Sequence, residues 1–417
     1  MINLSFDMTQ TLFIAVILLL IGGVIKSKVK FLEKYCIPSP VIGGLLFSVV
    51  VLILRQAGIV TLVFDKTLQQ FFMNLFFTAC GFAASITLLK SGGKKVITFL
   101  GLAAALAFLQ NVTAVSLSKV LNIEPMMALM TGSIPMTGGH GNAAAFAPIA
   151  EEMGYTGAIS VAVAAATFGL VAGSIIGGPI ANNLIIKKNL FNKDLKEESL
   201  KKSGIQENVS GSSVSVSYGE SSKESEDNLF NAKQLTRGFY LLFIGLGLGS
   251  VLHIIFKILL PGVTLPIHVM GMLGGVIIRV VMDIKDYKVP TKEIDTIGNV
   301  SLGVFVSMAV YTMKLWELAE LALPLVVLLI AQVIVVFLFV RYITFYVMGK
   351  DYDSAMMVAG HVGFSMGATP VSMANMKSVS DKYAYSKLAF FVVPIIGGLF
   401  SNFTNAAIIT FFMNYVK

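Results

Sequence analysis

Charge is scarce in this chain, and the little there is lies at the margins of apolar runs. Only 13% of the residues are Asp, Glu, Lys or Arg, against roughly 25% in a soluble domain. With 56% hydrophobic residues and a mean hydropathy of +0.81, a soluble fold is excluded. No Asp or Glu stands at the centre of an apolar run, and the four arginines, Arg55, Arg237, Arg279 and Arg341, fall near run ends. Proton-driven carriers place ionisable groups inside the bundle, so their scarcity favours a metal cation held by hydroxyls, amides and carbonyls. The two cysteines, Cys36 and Cys80, have no metal-ligand or redox spacing and read as small hydrophobes. The four histidines, at 140, 253, 268 and 361, make no HExxH pattern, and neither a nucleophile elbow nor a phosphate loop is present. An enzyme is not expected.

What is present is hydrocarbon. Runs of about 20 apolar residues, the length a helix needs to cross a bilayer, begin near Thr9, Val41, Leu68, Val96, Ile159, Gly238, Ile267, Ile294, Leu318 and Leu388, predicting ten spans. The first lacks a basic lead-in and a cleavage site, so it reads as a retained span. With the N-terminus outside, 25 of the 31 basic residues fall on the inside, the distribution that the positive-inside rule requires. Both termini are therefore expected outside, and the net charge of +8 needs no nucleic acid. The Ser-, Lys- and Glu-rich stretch of 187–237 is expected to be a disordered cytoplasmic linker between an N-terminal repeat, 1–186, and a C-terminal one, 238–417. His253, His268, Tyr311 and Trp316 are expected at outer interfaces, the aromatics as belt anchors.

Two stretches interrupt the apolar pattern. Residues 132–142 read GSIPMTGGHGN and 360–370 read GHVGFSMGATP, inside segments 126–149 and 354–376 that are too broken for ordinary spans. Irregular backbone survives at membrane depth only where protein or a water-filled cavity satisfies it, so both are expected to be re-entrant hairpins. They also repeat. Gly132 to Gly139 matches Gly360 to Gly367 at an offset of 228, as does Ile37-Pro38 with Leu265-Pro266; Gln110 and Gln332 mark the fourth span of each half, and IIGG recurs at Ile175 and Ile395. Five spans per half force the second half into the membrane the opposite way round. The fold expected is an all-α polytopic membrane protein of two inverted five-helix repeats, each with a hairpin, whose tips meet near the midplane as in secondary transporters. A continuous channel pore is disfavoured by the same geometry.

The polar residues of the tips are the candidate substrate site: Ser133, Thr137, Gly138, Gly139, His140, Gly141 and Asn142 in the first, and Gly363, Ser365, Gly367, Ala368, Thr369, Pro370 and Asn375 in the second. Backbone N–H groups at helix starts bind anions, and glycine lets a ligand approach the backbone. Against this stands the structural reading, in which the glycines only let helices pack closely. Asn111, Asn299, Ser301, Asn402 and Asn405 are the candidate Na+ ligands, though polar side chains between membrane helices also serve as plain interhelical contacts.

The runs IPSPVIGGLL, TGGHGNAAAF, ATFGLVAGSIIGGP, GNVSLGVFVSMAVYTMKLWELA and GHVGFSMGATPVSMANM resemble the bacterial sodium/glutamate symporter family over nearly all of the chain outside the linker. The resemblance implies inward transport of L-glutamate with Na+ as coupling ion, no organic cofactor, a bacterial inner-membrane location and a homodimer that works as an elevator. Ser365 departs from the glycine expected there. The rival reading is a carrier of another dicarboxylate or a hydroxy acid on the same architecture.

Overall fold

The structure is a computed structural model that describes residues 2–35, 37–83, 93–191, 232–259, 265–313, 315 and 322–417. Cys36, Trp316 and most of the expected linker lie outside the described residues. Among the described residues, eight helices are long and apolar enough to cross a membrane, nine when one bent pair is taken as a single span. The chain is thus a polytopic, helical membrane protein. The expected third span is α4, Thr67–Phe82, only 16 residues long, and the rest of that expected run lies at 84–92, outside the described residues.

The first half runs α1 (Met8–Lys28), a short α2 (Lys30–Lys34), α3 (Ser39–Gln56), α4, α5 (Gly93–Leu121), α6 (Pro125–Leu129), α7 (Gly139–Glu152) and α8 (Ala158–Lys187). The second runs α9 (Ala232–Leu259), α10 (Ile267–Ile284), α11 (Thr291–Tyr311), α12 (Ala322–Phe339), α13 (Phe345–Met348), α14 (Tyr352–Ser365), α15 (Thr369–Lys382), α16 (Lys387–Ile395) and α17 (Ser401–Tyr415). A π-turn, Val340–Thr344, joins α12 to α13, and another, Ile396–Phe400, joins α16 to α17. Pro394 sits just before the second; its missing N–H opens the ladder there, and the helix bends by 41° as prolines cause.

The helices sort into two packed groups. α1, α3, α4, α9, α10 and α11 pack on one another, and α5 to α8 pack with α12 to α17; the groups touch mainly where α11 meets α7 and α8, and where α17 meets α4 and α10. Small residues set the first group. Pro38 opens α3 and Pro266 opens α10 with nearly the same backbone angles, as suits a residue with φ fixed and no N–H to waste. A methyl on Gly43 would lie 1.9 Å from the Leu18 carbonyl oxygen of α1, and one on Gly249 of α9 would lie 2.5 Å from the Gly271 Cα of α10. Both helix pairs therefore need glycine at the crossing.

Three sequence expectations need correction. An all-α fold leaves out β1 (Ile2–Phe6) and β2 (Val60–Phe64), which pair in parallel with Phe6 opposite Phe64. α1 and α3 supply the crossover that a parallel pair requires, and the two rings stack at 5.2 Å. Tyr311 is no belt anchor: it is buried, donates from its hydroxyl to the Thr11 carbonyl at 2.9 Å and packs edge-on against Phe47 and Phe64. His268 is buried rather than interfacial, held between Phe77 and Phe146. In both cases the run end points into the protein, which a one-dimensional hydropathy pattern does not register.

Candidate functional site

The second Gly-rich stretch forms a helical hairpin. Asp351 caps α14 by accepting from the Ser354 N–H at 2.8 Å, Met366, Gly367 and Ala368 make the turn, and α15 returns along α14. Gly363 lets the arms close, since a methyl there would lie 2.3 Å from the Ser372 backbone nitrogen. Asn375 fastens the returning arm: its Nδ2 donates to the Gly173 and Ala359 carbonyls at 3.0 and 3.3 Å. Of the tip, Ser365 and Gly367 are buried, Ala368 and Thr369 half-buried and Pro370 exposed.

The first stretch is less regular. α6 ends at Leu129, turns occupy 130–138, and α7 starts at Gly139. All of these turn residues except Gly138 are buried, so their backbone groups must find partners inside the protein. Part of the answer comes from neighbouring helices. The Ser133 N–H donates to Asn111 Oδ1 of α5 at 2.7 Å, and Asn405 of α17 donates from Nδ2 to the Ser133 carbonyl at 2.9 Å. Three polar atoms around this residue, Asn111 Nδ2, Ser133 Oγ and Asn405 Oδ1, are buried without a partner among the described residues. Gln332 Oε1 is likewise unpartnered, while its Nε2 donates to the Gln110 carbonyl at 2.8 Å.

The two tips touch. Gly139 adopts φ +60°, and a methyl on it would lie 2.6 Å from the Gly367 carbonyl oxygen of the other tip; only glycine tolerates both the left-handed backbone and the approach. Gln110 of α5 ties the tips a second time. Its Oε1 accepts from the Thr137 hydroxyl at 2.7 Å, and its Nε2 donates to the Ser365 carbonyl at 2.8 Å. α7 and α15 both start at this junction, with Gly138 and Ala368 as N-cap residues and no side-chain cap on either. Two helix N-termini thus bring uncapped N–H groups and their positive dipole ends to one place.

His140 lies beside the junction and pairs through Nε2 with the Thr167 hydroxyl at 3.0 Å. The Thr167 hydroxyl also lies 2.9 Å from the Val163 carbonyl, an arrangement in which a hydroxyl that donates there accepts from the imidazole. Asn142 folds its amide back over Gly138, where a methyl would lie 2.1 Å from Nδ2, and that Nδ2 has no partner among the described residues. Gly141 faces Leu302 and Phe76 of the other helix group.

The proposed cation residues are only partly brought together. Asn111 and Asn405 converge on Ser133. Ser301 is buried but spends its hydroxyl on the Ile297 carbonyl of its own helix at 2.8 Å, Asn299 is exposed, and Asn402 lies half-buried against Cys80. Gln110 and Gln332 were legible only as markers of the expected repeat, and Thr167 had no assigned role. The available signal was an uncharged polar side chain inside an apolar run. Among the described residues no group of three or more His, Cys, Asp or Glu gathers to hold a metal ion, so a cation here relies on hydroxyl, amide and carbonyl oxygens.

The sodium/glutamate symporter family model matches residues 4–385. The chain is 36% identical over 411 residues, 98% of its length and 97% of the relative's, to the sodium/glutamate symporter of Escherichia coli (strain K12). It is 35% identical over 407 residues to that of Haemophilus influenzae (strain ATCC 51907 / DSM 11121 / KW20 / Rd), covering 97% of this chain and 96% of the relative.

Proposed function

This chain belongs to the sodium/glutamate symporter family, and from that premise we propose that it carries L-glutamate into the cell on the Na+ gradient by alternating access at the junction of the two tips. It is a transporter, not an enzyme, with Na+ as coupling ion. The observation that carries the reading is the double contact of the tips, through Gly139 with Gly367 and through Gln110.

Glutamate brings two carboxylates and one ammonium. The uncapped N-termini of α7 and α15 supply N–H donors for the carboxylates, flanked by Thr137, His140, Asn142, Ser365 and Thr369. Na+ sits beside Ser133, where the hydroxyl and Asn405 Oδ1 are buried oxygens with no partner among the described residues and Asn111 positions the turn. Asn299, Ser301 and Asn402 take no part in this arrangement.

The matched helix openings at Pro38 and Pro266 and the matched glycine crossings support two inverted repeats. The division into two helix groups supports an elevator, with α5 to α8 and α12 to α17 as the moving body and the other group as its frame. A homodimer with both termini outside rests on the family likeness and on the distribution of Lys and Arg.

The test is uptake of labelled glutamate into proteoliposomes. An inward Na+ gradient is expected to drive accumulation and K+ in its place to abolish it, with unlabelled glutamate competing better than other dicarboxylates or hydroxy acids. Accumulation driven by a pH gradient alone, or stronger competition by a hydroxy acid, would overturn the assignment.

A further inference from the structure

Away from the tips, a cavity of about 290 Å³ opens where the end of α8 meets the π-turn that follows α12, lined by Leu184, Lys187, Lys188, Arg341, Tyr342 and Tyr346. Three of the six lining residues are cations, and among the described residues no carboxylate lines the cavity. Like charges gather stably only where an anion or water compensates them.

Arg341 is positioned rather than loose. Its Nη1 donates to Asn183 Oδ1 at 3.0 Å, and its guanidinium lies 5.9 and 5.8 Å from the ring centres of Phe337 and Tyr342. Lys188 lies 5.9 Å from the ring centre of Tyr346. Arg341 also belongs to the π-turn Val340–Thr344, a form of helix frequent at functional sites. On its other side the same turn presents Thr344 Oγ1, paired at 3.0 Å with His361 Nδ1 of α14. The turn therefore connects the cavity to an arm of the second hairpin.

We propose that this cavity is a binding site for the phosphodiester headgroup of an anionic phospholipid. The guanidinium fork matches phosphate oxygens, the lysines add charge, and Tyr342 and Tyr346 are exposed, the residue type that membrane interfaces favour. Basic pockets between membrane helices take anionic headgroups by this chemistry. The exposed apolar side chains Ile186, Ile343 and Val347 flank the cavity in sequence and offer a surface for acyl chains. The site is separate from the solute junction and does not depend on which anion the carrier moves.

The test uses the full-length purified protein in nanodiscs of phosphatidylcholine, with and without phosphatidylglycerol, read by lipid retention in native mass spectrometry and by thermal midpoint. The wild type is expected to retain phosphatidylglycerol over phosphatidylcholine and to melt higher in its presence. Arg341→Gln, which can still reach Asn183, and the double variant Lys187→Gln/Lys188→Gln are each expected to lose that preference by about fivefold or more, with melting in phosphatidylcholine alone unchanged. The lysine pair lies on exposed positions, so it reports even where the arginine change disturbs the helix. Equal retention of both lipids by the wild type, or a preference that survives both variants, would overturn the proposal. Stabilisation by inorganic phosphate equal to that by phosphatidylglycerol would also overturn it, by moving the site from lipid to soluble anion. Glutamate uptake by the wild type is a separate readout, so this site and the transport reading fail independently.

Discussion

Replacing Gly139 with alanine tests whether contact between the tips is the working part of the molecule. Two costs arise. The backbone at φ +60° lies in the left-handed region, where a Cβ adds about 1–2 kcal/mol. The new methyl would also lie 2.6 Å from the Gly367 carbonyl oxygen, whereas favourable heavy-atom contacts fall at roughly 3.5–4.0 Å. Backbone on both sides leaves no flexible side chain to yield, so the tips must part by on the order of an ångström. If the solute is held between them, even 1.4 kcal/mol of lost contact raises its half-saturation concentration about tenfold.

Gly154→Ala separates the two costs. Gly154 has φ +100° but, among the described residues, nothing within 4 Å of an added methyl, so that variant tests backbone strain alone. Na+-driven glutamate uptake in proteoliposomes, with thermal midpoints for each protein, should show both variants destabilised. Gly139→Ala should raise the half-saturating glutamate concentration about tenfold or more, while Gly154→Ala stays within about twofold of wild type. Wild-type glutamate affinity in Gly139→Ala would refute the reasoning and reduce the tip glycines to packing devices.

Other residues divide the same question. Gln110→Leu strands the Thr137 hydroxyl and the Ser365 carbonyl, at about 1–3 kcal/mol for each buried group left unpaired; uptake should fall at least about tenfold in protein that still elutes as a folded species. Asn405→Ala should raise the Na+ concentration for half-maximal uptake by about tenfold, whereas Asn299→Ala should leave it unchanged; equal effects of the two would remove Ser133 and its neighbours as the cation site. Gly363→Ala forces a methyl to 2.3 Å from the Ser372 nitrogen and should lower the thermal midpoint and the yield of folded protein, a packing defect that higher Na+ or glutamate does not repair.

The two tip stretches were legible because polar and Gly-rich residues in an apolar chain are rare enough to need a reason, and their equal spacing is what supports the proposed repeat. Which face a polar residue occupies was not legible in spans that are apolar nearly all round, since no stripe marks the inside. Asn299 and Ser301 illustrate the limit. Two residues apart on a helix, they cannot face the same way, and α11 places one on the exposed surface and the other on its own backbone. Asn402 and Asn405, three apart, can share a face, yet Asn405 reaches Ser133 while Asn402 meets Cys80. The β1–β2 pair was hidden for another reason: each strand is a five-residue flank, and the partner's place depends on α1 and α3 running out and back.

Gln110 and Asn111 are neighbours in sequence, and the helix turns their side chains apart by the roughly 100° that separates adjacent positions. Asn111 holds the turn at Ser133, while Gln110 bonds both tips, so one helix turn serves the proposed cation place and the proposed solute place together. Sharing one amide between the tips also bears on leakage. Freeing either tip breaks one buried hydrogen bond to Gln110; freeing both breaks two and leaves the amide itself unpaired, about 1–3 kcal/mol for each stranded group. If each tip faces one side of the membrane, as the proposed inverted repeats require, a state open to both sides is the most costly arrangement of the junction, and a carrier that moves a solute against its gradient must avoid that state above all.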